Sequence, residues 1–150
     1  MRSSSKSQDR LIETYNPTET FELGKRLGEE ARRSGFYALC GDLGVGKTVF
    51  SQGFAAGLGV REVVTSPTFT IMQPYESGRM PFYHFDCYRI SSIAEMDDLG
   101  YEEFFYGDGV CLVEWSERIE AILPANRIVV LIEKNYEKGD NYRKIIIERG

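Results

Sequence analysis

The stretch that decides the fold is Gly41-Asp42-Leu43-Gly44-Val45-Gly46-Lys47-Thr48. It follows the spacing of a phosphate-binding loop: Gly, four residues, then Gly-Lys-Ser/Thr. The chemistry needs these residue types at these places. Glycines let the backbone turn with its N–H groups facing inward, where a side chain would exclude a phosphate. Lys47 carries a mobile positive charge for outer phosphate oxygens, and the Thr48 hydroxyl suits the oxygen shell of a magnesium ion. A helix beginning here adds its N-terminal dipole and unpaired N–H groups.

The flanking sequence supplies the required context. Phe36 to Cys40 is a short apolar run that reads as a buried strand. Val49, Phe50, Phe54, Ala55 and Leu58 recur at helical spacing and stop at Gly59. Strand, glycine loop and helix arrive in the order the mechanism requires, so the reading is a nucleotide site rather than a glycine-rich turn.

Composition limits what surrounds this unit. The 150 residues suit one domain, 1–150, with residues 1–9 read as a loose tail. Hydrophobic residues make up 42% and charged residues 27%, as in a globular protein. No apolar run reaches membrane-spanning length, and the opening lacks the apolar core of a secretion signal. A formal net charge of −5 argues against a chain that grips nucleic acid by itself. Cys40, Cys87 and Cys111 lie far apart in or beside apolar runs, without C-x-x-C spacing. They read as buried thiols in a reducing compartment, hence a cytoplasmic location and no membrane.

In chain order, Leu11 to Tyr15 reads as a first strand. Asn16 caps a helix with Pro17 in its first turn and Glu19 three residues after the cap. Phe21, Gly24, Leu27, Gly28 and Ala31 mark its inner face, and Ser34-Gly35 its close. Beyond the loop unit, Thr65-Ser66-Pro67-Thr68-Phe69 is extended or turning, because Pro67 disfavours helix at Ser66. Its hydroxyls suit either a loop that senses a terminal phosphate or a plain strand entry. Thr70 to Tyr75 and Met80 to Phe85 read as a hairpin.

The second hairpin strand runs into His84-Phe85-Asp86-Cys87-Tyr88-Arg89. If extended, it puts His84, Asp86 and Tyr88 on one face, with Phe85 and Cys87 on the other. His84 is either a structural histidine or part of the site. Asp86 suits orienting a water or an acceptor hydroxyl. Ser91 to Tyr106 reads as an acidic helix with a break at Gly100 and a capping box from Ser92 and Glu95.

Val110-Cys111-Leu112-Val113-Glu114-Trp115 is an apolar run ending in an acid, the way a second strand delivers a carboxylate to magnesium. Glu114 is therefore read as a metal-site acid. Trp115 either packs in the core or covers the site. Ser116 to Leu123 reads as a short helix stopped by Pro124. Arg127 to Glu133 and Tyr142 to Glu148 read as a closing hairpin, which makes the sheet mixed rather than fully parallel.

Taken together, the loop at Gly41–Thr48, Ser66-Pro67-Thr68-Phe69, His84-Phe85-Asp86-Cys87-Tyr88-Arg89 and Leu112-Val113-Glu114-Trp115 resemble, in order and approximate spacing, the bacterial TsaE (YjeE) family. The resemblance runs from about Leu11 onward. It implies an α/β, P-loop NTPase-like three-layer fold with a central mixed β-sheet flanked by helices. It also implies an ATPase using ATP and Mg2+ that supports a complex of the TsaD and TsaB proteins. That complex modifies the tRNA adenosine beside the anticodon with a threonylcarbamoyl group, so tRNA is met only indirectly. Carried onto this chain, Gly41 to Thr48 bind nucleotide, Lys47 holds phosphate, and Thr48 and Glu114 hold magnesium. Asp86 is needed for activity, and Ser66 to Phe69 form a nucleotide-responsive loop. His84, Tyr88, Arg89 and Trp115 complete the motifs. The family usually has Ala where Val45 stands and Thr where Val49 stands, so one hydroxyl toward the inner phosphates is missing.

Two other functions fit a nucleotide site. A small-molecule or nucleoside kinase would use Asp86 on an acceptor hydroxyl, although no arginine-rich lid is present. In a nucleotide-controlled binding module, hydrolysis would be incidental. A GTPase is disfavoured because no Asn-Lys-x-Asp stretch occurs.

Overall fold

The computed structural model describes residues 10–41, 46–67 and 70–149. Three expectations therefore lie wholly or partly outside the described residues: the tail at 1–9, the loop interior at Asp42, Leu43, Gly44 and Val45, and Thr68 and Phe69.

Strand β1 (Arg10–Thr14) leads into α1 (Pro17–Glu30), followed by β2 (Phe36–Cys40) and α2 (Lys47–Gly57). A hairpin of β3 (Met72–Tyr75) and β4 (Phe82–Asp86) precedes two short helices, α3 (Ala94–Leu99) and α4 (Tyr101–Phe105). The chain closes with β5 (Val110–Glu114), β6 (Ile128–Lys134) and β7 (Arg143–Arg149). The seven strands form one sheet in the order β1-β7-β6-β2-β5-β4-β3. The four in the middle, β6, β2, β5 and β4, are parallel, while β7, β1 and β3 add antiparallel edges. A mixed sheet covered on both faces is the architecture expected from the sequence.

The apolar runs explain why the sheet is covered twice. Along β2, Tyr37 and Leu39 face a core shared with α1 and α2, while Phe36 and Ala38 face a second core. β5 divides in the same way, with Val110 and Leu112 on one side and Cys111 and Val113 on the other. Both strands are continuous apolar runs because neither face meets water. Burial pushes the thiols of Cys87 and Cys111 up to about 12, so neither is a reactive thiolate. Cys40 is only half-buried.

The start of α1 is set locally. Asn16 Oδ1 accepts from the Glu19 N–H at 2.8 Å, Pro17 occupies the first turn, and Glu19 Oε1 accepts from the Tyr15 N–H at 2.7 Å. The helix stops at Glu30, short of the expected Ser34-Gly35, because Ala31 turns extended. Its last turn holds no basic residue. Arg79, from the β3–β4 turn, donates instead to the Gly28 and Glu29 carbonyls at 2.6 and 3.0 Å.

The inner face of α1 also differs from expectation. Thr20, Leu23, Gly24, Leu27 and Gly28 are buried, whereas Phe21 is half-buried. The reason is a close seam with α2. A methyl on Gly24 or Gly28 would stand less than 3.0 Å from the carbonyl oxygen of Phe50 or Phe54, and one on Gly53 or Gly57 from that of Phe21 or Lys25. Only hydrogen fits where the two backbones meet.

The opposite layer is built of shorter pieces. The expected single helix over 91–106 is two helices hinged at Gly100, whose φ is 77°. Glu95 accepts from the Ser91 and Ser92 N–H groups, as a capping box would, but the helix proper begins at Ala94. The helix expected over 116–123 is a 3-10 segment, Ser116–Ile122, interrupted at Ile119 where φ is −128°.

Candidate functional site

The parallel strands end on one side of the sheet, and the chemistry-bearing residues gather there. β2 delivers Gly41, β4 ends at Asp86 and β5 at Glu114. Register pairs Asp86 with Glu114, and Leu39 with Glu114. Both carboxylates thus stand beside the point where the chain leaves β2 for the glycine loop. The described ends of that loop both adopt conformations suited to glycine, with φ of 140° at Gly41 and 99° at Gly46. A Cβ on Gly46 would meet only the Arg143 Nε, at 3.8 Å, so its left-handed backbone rather than crowding demands the glycine. At this N-cap no side chain caps α2, leaving the helix start for an anion.

Gly46, Lys47, Thr48, Ser66, Asp86 and Glu114 line a cleft of ≈ 380 Å³ that also includes Val49, Tyr88 and Trp115. Lys47 is 5% exposed. Its ammonium donates to the Gly41 carbonyl at 2.7 Å and lies 3.9 Å from the Trp115 ring centroid. Burial holds its pKa below the ordinary lysine value, with Glu114, then Glu117 and Asp86, working the other way. A buried ammonium held, among the described residues, by one carbonyl oxygen and a ring face is suited to receive a phosphate oxygen.

Trp115 is thereby placed at the cleft rather than in the core alone. Its own φ of 58° is unusual for a bulky residue and costs on the order of 1–3 kcal/mol. That conformation turns the chain sharply out of β5, and the indole covers Lys47 while Tyr88 packs against it at 4.9 Å between centroids.

Asp86 is fixed by a local turn, its Oδ1 accepting from the Tyr88 N–H at 3.0 Å. Burial raises its pKa above the ordinary aspartate value, the Tyr88 N–H opposes this, and nearby Glu114 adds to it. On its far side, Pro67, Thr70, Arg89 and Glu95 border a second cleft of ≈ 170 Å³ that Asp86 also lines. Glu114, 3% exposed, shares its Oε2 with His84 Nε2 at 2.6 Å, and Ser51 Oγ lies at 3.5 Å. His84 Nδ1 has no hydrogen-bond partner among the described residues.

Of the sequence-derived site residues that are described, Gly46, Lys47, Thr48, Ser66, Asp86, Tyr88, Glu114 and Trp115 line one cleft, Pro67 and Arg89 border the second, and His84 lies behind Glu114. Tyr88 and Arg89 lie beyond the end of β4 and are exposed. Sequence reading missed the Lys47–Trp115 contact, the His84–Glu114 pair and Arg143. Lys144 pairs with Glu133 at 3.7 Å, while its neighbour Arg143 borders a groove beside Gly46 with Pro17, Thr20 and Asn141. Only the alternation of β7 could have marked which of the two faces the loop. Among the described residues no group of three or more His, Cys, Asp and Glu side chains could hold a metal alone. The oxygen donors Thr48 and Glu114, which line the same cleft, instead suit an ion such as magnesium, which takes one or two carboxylates and completes its shell from phosphate and water.

Comparison with known proteins gives one answer. The family model for "Threonylcarbamoyl adenosine biosynthesis protein TsaE" matches residues 14–145. The chain is similar to the tRNA threonylcarbamoyladenosine biosynthesis protein TsaE of Bacillus subtilis, 46% identical over 132 residues covering 88% of this chain and 80% of that protein. The protein of the same name from Treponema pallidum is 40% identical over 112 residues, 75% of this chain and 82% of that one. The crystal structure of Bacillus subtilis YdiB superposes with a TM-score of 0.76 at 38% identity, covering 93% of this chain and 84% of the other.

Proposed function

This chain belongs to the TsaE family, and from that premise we propose that it is a magnesium-dependent ATPase supporting a TsaD–TsaB complex in threonylcarbamoyl modification of tRNA. The observation that carries the reading is the single cleft in which Lys47 and the start of α2 face the two strand-end carboxylates, Asp86 and Glu114.

In this reading the phosphates of ATP lie against the α2 N-terminus, replacing the Gly41 carbonyl and the indole as partners of Lys47. Thr48 and Glu114 hold magnesium, which when bound neutralises charge on the outer phosphate oxygens. Asp86 orients the attacking water. Water attacks the terminal phosphorus, the bond to the bridging oxygen breaks, and ADP and phosphate leave. Lys47 and the helix N–H groups stabilise the charge that grows on the leaving oxygens. The groove past Gly46, with Arg143, receives the base end of the nucleotide. Ser66, at the cleft wall, belongs to the segment that responds to the terminal phosphate. The domain works in the cytoplasm as one unit, and it reaches tRNA only through its partners.

The second cleft beside Asp86 favours one rival, a kinase in which an acceptor hydroxyl lies where water would. Phosphate release with magnesium, measured alone and with TsaD and TsaB, separates the two. Slow release that changes on adding the complex supports the ATPase. Rapid ADP formation only when a nucleoside or sugar is added supports the kinase. Asp86→Ala is expected to bind ATP, stop hydrolysis and stop tRNA modification while leaving the complex assembled. Continued modification would make this a nucleotide-controlled binding module.

A further inference from the structure

His84 has no part in the chemistry above, although its buried partner Glu114 does. His84 and Glu114 are 1% and 3% exposed, and Nε2 lies 2.6 Å from Oε2. His84 sits on β4 two residues before Asp86, and its ring stacks on Phe82 at 5.9 Å with planes 14° apart. Nε2 is taken up by the carboxylate oxygen, and Nδ1, a polar atom whichever tautomer the ring adopts, is buried without a partner among the described residues. A position needed only for packing is better filled by phenylalanine, which stacks equally well and buries no polar atom. What the imidazole gives that phenylalanine does not is the bond to Glu114.

We infer that His84 is a positioning residue, holding Oε2 of Glu114 inside the protein so that the remaining carboxylate oxygen is presented to a divalent cation in the phosphate cleft. This rests on the metal role proposed for Glu114. The bond also links the side chains of β4 and β5 just beneath the Asp86–Glu114 pair, so it fixes how the two carboxylates stand relative to each other. Ligating carboxylates depend on such outer partners for orientation, and removing one typically weakens metal affinity about 10–100-fold.

The test is the affinity of the protein–ADP complex for Mn2+, followed by electron paramagnetic resonance, together with ADP affinity in a metal chelator. His84→Phe keeps the stack and removes the donor. His84→Gln places an amide N–H near the lost Nε2. His84→Asn, whose amide stops short of Oε2, serves as the donor-free variant if His84→Phe does not fold. The expected result is about a tenfold or greater loss of Mn2+ affinity in His84→Phe, recovery in His84→Gln, and unchanged metal-free ADP affinity in both. Wild-type Mn2+ affinity in the donor-free variant would overturn the inference. So would equal loss of Mn2+ and metal-free ADP affinity in all variants, which marks His84 as packing alone. Glu114→Gln is the control for the premise: if it retains wild-type Mn2+ affinity, the metal role of Glu114 fails first, and visibly so.

Discussion

The two helical layers cover the same sheet by opposite means. On one face α1 and α2 meet backbone to backbone through Gly24, Gly28, Gly53 and Gly57, with no room for a methyl group. On the other, α3, α4 and a broken 3-10 segment pack through aromatic edges, such as Phe105 against Phe36 at 4.7 Å and against Phe85 at 5.3 Å. Close-packed backbones permit one arrangement, whereas side-chain contacts can repack. The rigid layer is the one whose α2 begins with Lys47 and Thr48. Holding that helix by its backbone fixes where its N-terminus meets a phosphate. The looser layer carries the acidic surface of α3 and α4 and borders the site from the side, where Glu95 of α3 lines the second cleft with Asp86.

The sharpest way to break this contrast is to add a single carbon to the seam. Gly53→Ala is expected to cost about 3 kcal/mol, at the upper end for overpacking because the obstacle is the Phe21 carbonyl rather than a flexible side chain. Urea unfolding measures it, and nucleotide affinity should fall as well, since α2 must shift. Phe105→Leu, a larger chemical change in the other layer, is expected to cost only about 1.5 kcal/mol. Nucleotide affinity should stay unchanged. Equal costs, or an equal effect on nucleotide, would erase the distinction.

The smallest effect concerns the rigid layer's outer edge. Glu13 on β1 accepts from Tyr142 at 2.6 Å and Lys138 at 3.2 Å, which hold its pKa below the ordinary 4.5. A carboxyl depressed in the folded state contributes stability that is full above its unfolded pKa and lost as pH falls through the folded one. The stability difference between wild type and Tyr142→Phe should therefore be constant between about pH 6 and 9, below the range where the Tyr142 phenol itself titrates, and shrink as pH falls below about 4. A difference that grows on acidification would contradict this assignment.

The same contrast decides what the sequence could tell. β2, β5 and the entry to α1 were legible because their signals are local: an apolar run, an Asn-Pro cap, a glycine loop. The convergence of Lys47, Asp86 and Glu114 followed from parallel strands ending on one side. The seam was not legible, since Gly53 and Gly57 gain meaning only when α1 lies against them. Arg79 capping a helix fifty positions earlier is equally non-local. In the aromatic layer Ser116 and the stop at Pro124 suggested a helix over 116–123, but the segment follows a left-handed Trp115 and breaks at Ile119, neither of which those local signals announce. His84 showed its residue type in sequence, but its partner only in the fold.

Everything proposed for this cleft depends on the α2 N-terminus receiving the phosphates of ATP. The most direct test of that is phosphate release from ATP with magnesium by wild type and Lys47→Ala at matched concentrations. Wild type is expected to release phosphate measurably and the variant about 10²–10³-fold less, the usual cost of removing one charge-stabilising donor. Equal release by the two proteins would contradict it.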